Sequence, residues 1–102
     1  MYLVQLLLPT HDNQKRLFPR QQFDNVRREL TDRFGGVTAF VRSPAVGLWK
    51  EEDSDVSRDD VVMFEVMCEK LDEAWWSNYR VELEKIFRQE ELLVRAIHVR
   101  KL

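Results

Sequence analysis

Apolar and polar positions alternate at the start of the chain. Tyr2, Val4, Leu6 and Leu8 fall on one side and Leu3, Gln5 and Leu7 on the other, which predicts a strand that Pro9 ends. Thr10 to Phe18 is a polar connection with a turn at Asp12-Asn13, and Pro19 suits the first turn of a helix. From there the period changes: Phe23, Val26, Leu30 and Phe34 lie within an arc of about 80° of a helix, whose remaining surface is charged. Gly35-Gly36 is a stop signal, since Gly35 can take the left-handed conformation just past a helix end. Period 2 returns at once, with Val37, Ala39 and Val41 on one face and Thr38, Phe40 and Arg42 on the other. A third strand is predicted from Val61 to Glu69 and a fourth from Leu92 to Val99. Between them a second helix is expected from Asp72 to Gln89. Asp72 is its N-cap, Leu71 and Trp76 form a hydrophobic staple, and Trp75, Trp76, Tyr79, Leu83, Ile86 and Phe87 make an apolar arc.

The order strand, helix, strand, strand, helix, strand points to one α+β domain over residues 1–102. The expectation is a ferredoxin-like βαββαβ fold: a four-stranded antiparallel sheet in the order 4-1-3-2, with two helices on one face. The other face would carry Leu3, Leu7, Phe40, Val61, Met63, Met67, Leu93, Ile97 and Val99, too apolar a set to face water. The simplest cover is a second copy of the sheet, so a homodimer through the open sheet face is expected. Polar residues interrupt that face: Gln5, Thr38, Arg42, Glu65 and Arg95. In this strand order Arg95, Gln5 and Glu65 share a row that Arg42 or Thr38 completes. A buried charge needs a partner, and Glu65 has two candidate arginines.

Composition narrows the function classes. Of the residues, 44% are hydrophobic and 11% aromatic, enough for a core. A net charge of -2, from 16 basic and 18 acidic side chains, gives no broad positive field, which argues against nucleic acid or an anionic membrane as partner. The single cysteine, Cys68, excludes an internal disulfide and a multi-cysteine zinc site. A strand beginning at Tyr2 leaves no room for a signal peptide, and Leu6-Leu7-Leu8 is too short to span a bilayer, so a soluble cytoplasmic protein is expected.

Candidate chemistry is sparse. Residues 43–60 form a long connection, acidic from Glu51 to Asp60 and long enough to be functional or partly structured; strand 2 can extend into it as far as Trp49. Asp53-Ser54-Asp55 begins like a calcium loop, but the required glycine is missing, and a solvated acidic loop accounts for it better. Trp49, two residues after Gly47 at the mouth of that loop, is expected to close over the sheet, touch the partner subunit or cap a ligand pocket. His11, in the first polar loop, is within reach of a ligand, but a plain surface histidine is the favoured reading; His98 is read as packing or surface, and the two supply too few ligands for zinc. Cys68 lacks an activating base and reads as a small hydrophobe. Neither a metal nor a cofactor is expected. The ligand-binding candidates are therefore Thr38, Arg42, Trp49, Glu65, Arg95 and His11; an ion pair at Glu65 would orient an anionic or polar ligand or shift a pKa, while the favoured reading is a structural pair that sets dimer register.

The spacing Phe34-Gly35-Gly36-Val37-Thr38, then Gly47 and Trp49, the acidic approach to Val61 and the late Gln89-Glu90 together resemble small uncharacterised bacterial proteins of about this length. The resemblance implies a ferredoxin-like fold and an intimate dimer in the manner of dimeric α+β barrel proteins, and carries no established activity. Three readings follow: a dimeric small-molecule-binding or regulatory protein using the open face and loop 43–60, a cofactor-independent enzyme with Glu65 or His11 as base and Arg42 or Arg95 as anion clamp, or a structural or protein-interaction module.

Overall fold

Tyr2–Pro9 forms the central strand, β1, because its two neighbours bond along both of its edges. The computed structural model describes residues 1–42 and 61–102, with 38–42 as backbone only. The elements are β1, α1 (Arg20–Phe34), β2 (Thr38–Arg42), β3 (Val61–Cys68), α2 (Glu73–Ile86) and β4 (Leu93–His98). β1 pairs antiparallel with β3 from Tyr2↔Cys68 to Pro9↔Val61, and with β4 from Tyr2↔His98 to Leu7↔Leu93.

The expected four-stranded antiparallel sheet is corrected by this arrangement. The layer described through to its side chains is three-stranded and antiparallel, with β1 between β3 and β4. β2 is a five-residue backbone edge bonded to β3, so that the strands run β2-β3-β1-β4 across the layer. A short segment bonded along one side supplies a ladder, whereas the described core rows come from β1, β3 and the helices. The ferredoxin-like description with a four-stranded sheet therefore gives way to a plainer α+β arrangement. The proposed extension of the second strand to Trp49, and the acidic stretch after it, lie outside the described residues.

One hydrophobic cluster joins sheet and helices. Val4, Leu6 and Leu8 of β1 meet Phe64 and Val66 of β3, Val26 and Leu30 of α1, and Trp76, Tyr79 and Leu83 of α2, so both helices cover the same sheet face. Helix α1 stops where two glycines predicted it: Gly35 has φ 81° and its N–H donates to Thr31 O at 2.7 Å. Helix α2 begins at the expected cap, with Asp72 Oδ1 accepting from Trp75 N at 3.1 Å. It ends sooner than Gln89, capped by Phe87, and Ile86 is exposed rather than part of the apolar arc. The reason is tertiary: Phe87, not Ile86, turns inward to meet Phe18, with ring centroids 5.1 Å apart. Leu92 precedes β4 instead of opening it, is buried in the core, and donates its N–H to Glu84 Oε2 at 3.0 Å.

Candidate functional site

The face of the sheet away from the helices is organised in rows, because paired residues in an antiparallel ladder point the same way. One row reads Ile97–Leu3–Met67 and another Leu93–Leu7–Met63. Between them lies Arg95–Gln5–Glu65, and the β2 register sets Thr38 opposite Glu65. Ile97, Met67 and Leu93 are all more than 40% exposed, whereas Met63 and Gln5 are buried.

The polar row is a bonded chain. Arg95 Nε donates to Gln5 Oε1 at 2.7 Å, and Gln5 Nε2 donates to Glu65 Oε2 at 2.7 Å. Gln5 thus faces a cation with its carbonyl and an anion with its NH2, and the opposite amide flip would set like polarity against both. Arg95 is exposed and Glu65 half-buried, so the amide is the most secluded member of the three. Glu65 and Arg95 do not touch each other directly. They are a separated pair, bridged by a neutral side chain whose importance the sequence pattern alone did not indicate.

Beside Glu65 is an open depression of about 390 Å³ lined by Phe34, Gly35, Gly36, Val37, Glu65 and Met67. The α1 stop and the first residues towards β2 form its wall. Glycines there keep the wall low, since a Cβ added at either Gly35 or Gly36 would meet open space. The glycine pair was legible as a helix stop, but its place beside Glu65 was not, because that depends on β3 passing the end of α1.

The remaining candidates are dispersed. Arg42 pairs in register with Val61, four residues along β3 from Glu65, or about 13 Å away, so Thr38 rather than Arg42 completes the row. His11 lies beyond the end of β1, roughly 15–20 Å along the chain direction from Gln5. Its Nδ1 is 2.7 Å from Thr10 Oγ1, and its backbone bridges Leu17, closing a small loop. The sequence-level pairing of His11 as base with an arginine of the open face is therefore not assembled. Trp49 lies outside the described residues. His98, by contrast, packs edge-on against Tyr2 at 5.1 Å.

Two further groups are held for structural reasons. Asp12 closes the 10–18 loop: its Oδ1 accepts from Gln14 N at 2.8 Å and Arg16 N at 2.9 Å, and Arg16 and Arg88 each lie 3.4 Å from its Oδ2. The Arg16 amide chiefly, then the Gln14 amide and the two guanidinium groups, hold its carboxyl below the usual value against a smaller opposing effect of desolvation. Cys68 is half-buried, and burial pushes its thiol up, away from a reactive thiolate. Among the described residues no group of three or more His, Cys, Asp or Glu side chains could hold a metal ion, and no helix is long and apolar enough to cross a membrane. Compared with family models, curated proteins and solved structures, the chain matches none.

Proposed function

We propose that this protein is a small-molecule-binding or regulatory homodimer that works through the open sheet face, with Glu65 as the polar anchor of the ligand. The observation that carries this reading is the depression beside Glu65, where a carboxylate held by Gln5 stands next to Phe34, Val37 and Met67 and the backbone of Gly35 and Gly36. Pockets that orient ligands combine a mostly apolar lining with a few placed polar groups. Here Phe34, Val37 and Met67 supply the apolar surface, and Glu65, steadied by Gln5, offers an acceptor. The fitting ligand class is a small amphipathic molecule with a hydrogen-bond donor or an amine at one end. The C-terminal end of α1, where the helix dipole is negative, favours the same polarity.

A thermal-shift screen of the full chain against amine-bearing and neutral polar metabolites tests the reading, because a ligand that prefers the native state raises the melting temperature by mass action. Concentration-dependent shifts that Glu65→Ala abolishes, in a variant with unchanged secondary structure, are the expected result. Shifts of equal size in wild type and Glu65→Ala would remove the site, and a screen without any shift would leave the face to protein interaction alone.

A further inference from the structure

The polar row on the open face has a direction, and that direction chooses how a second copy can sit on it. Arg95 is on β4, Glu65 is on β3, and Gln5 stands midway on the central strand. Strands about 4.8 Å apart put the two charges on either side of β1, roughly 10 Å from each other. Two sheets that pack face to face about a two-fold axis have two simple alignments. With the axis along the row, each charge meets its own copy: Arg95 faces Arg95 and Glu65 faces Glu65. With the axis along β1, through Gln5, the row is reversed left to right. The partner's Arg95 then lies over Glu65, and Glu65 of the partner subunit lies over Arg95. Like charges brought together across a desolvated interface oppose association, and opposite charges fix register.

The apolar rows agree with the second alignment. Reversal about β1 sets the partner's Ile97 over Met67, and both of these side chains are exposed in the single chain at 42% and 47%. Leu3 meets its own copy on the axis. Arg95 makes no ion pair among the described residues, spending only its Nε on Gln5, so the rest of its guanidinium is available to a partner. Arginine suits this task because its planar fork can serve Gln5 and a carboxylate together.

We propose that the open face pairs with a second copy of this chain about a two-fold axis parallel to β1, so that the partner's Arg95 closes over Glu65 and forms the missing wall of the depression beside it. This rests on the homodimer reading above and deepens it: the binding site becomes composite, offering a carboxylate from one copy and a guanidinium from the other. A small molecule carrying one donor and one acceptor group would bridge them.

Charge exchange within one chain separates the two alignments. Arg95→Glu alone and Glu65→Arg alone each set like charges opposite one another in the proposed dimer, and each is expected to raise the dimer dissociation constant at least about tenfold. The double variant Arg95→Glu/Glu65→Arg restores opposite charges across the axis, with Gln5 reversing its amide to serve them, and is expected to recover most of the lost affinity. With the axis along the row every one of these chains, wild type included, sets like against like, so the single variants would dimerise as wild type does. Sedimentation over a range of micromolar concentrations reads the assembly, and circular dichroism confirms that each variant is folded. A wild-type dimer whose single variants keep wild-type affinity, or whose exchanged variant stays monomeric, overturns the proposed axis and leaves the homodimer reading intact. A wild-type chain that sediments as a monomer overturns both.

Discussion

Replacing Gln5 with leucine puts the central bridge to a direct test. The side chain is 7% exposed and makes two bonds of 2.7 Å, one to a cation and one to an anion. Hydrogen bonds to charged groups contribute about 1.5–3 kcal/mol each when both ends are buried. Arg95 is exposed and regains water when its partner is lost, so its bond counts for under about 1 kcal/mol. Glu65 is half-buried and regains water only in part, which leaves it short of a donor at a cost of about 1–2 kcal/mol. Leucine returns part of this by adding apolar area between Leu3 and Leu7. The expected net loss is about 1–2 kcal/mol, or a fall in melting temperature of about 5–15 °C for a chain of this size. Urea denaturation of wild type, Gln5→Leu, Glu65→Leu and the double variant, at one fixed protomer concentration, gives the coupling between the two residues. A coupling of about 1 kcal/mol or more is expected. Gln5→Leu as stable as wild type, with coupling within about 0.3 kcal/mol of zero, would refute the idea that this amide holds the row together.

Two other predictions concern groups away from the open face. Asp12 has a folded-state pKa below its usual value of 3.8, so its ionised form contributes stability that is present above that value and lost as pH falls through the lowered one. The melting temperature of Asp12→Asn should therefore lie below wild type at neutral pH, with the gap narrowing as the pH drops below 3.8; a gap that stays constant into acid would count against the carboxylate's role. Tyr79 is 3% exposed and its hydroxyl has no hydrogen-bond partner among the described residues, while burial, followed by the negative charges of Glu29 and Glu82, pushes its pKa up. Tyr79→Phe should leave stability within about 0.5 kcal/mol of wild type or raise it, because an unpartnered buried hydroxyl only costs desolvation. A loss of more than about 1 kcal/mol in urea denaturation would show that the hydroxyl does bond, with Glu29 as the partner.

Much of this molecule is written locally. The two apolar faces of β1, the helix stop at Gly35 and the cap at Asp72 follow from period and from single-residue conformational preference, which act over a few neighbours. The shared row of Arg95, Gln5 and Glu65 could be anticipated once β1 was placed between β3 and β4, since alternation assigns the face and pairing aligns the positions. Register was a different matter. Whether Thr38 or Arg42 stood opposite Glu65 depended on how β2 met β3, a non-local choice that no spacing within either segment contains. The same is true of Ile86 and Phe87: both fit the apolar arc of α2, and the position of Phe18 selected Phe87. Tertiary structure also turned Gln5 from a polar interruption into the bridge between a cation and an anion, and brought Gly35 and Gly36 beside Glu65. Sequence set which residues face which way, because side-chain direction is a property of the backbone beneath them. The fold decided which of them meet, because meeting depends on segments far apart along the chain.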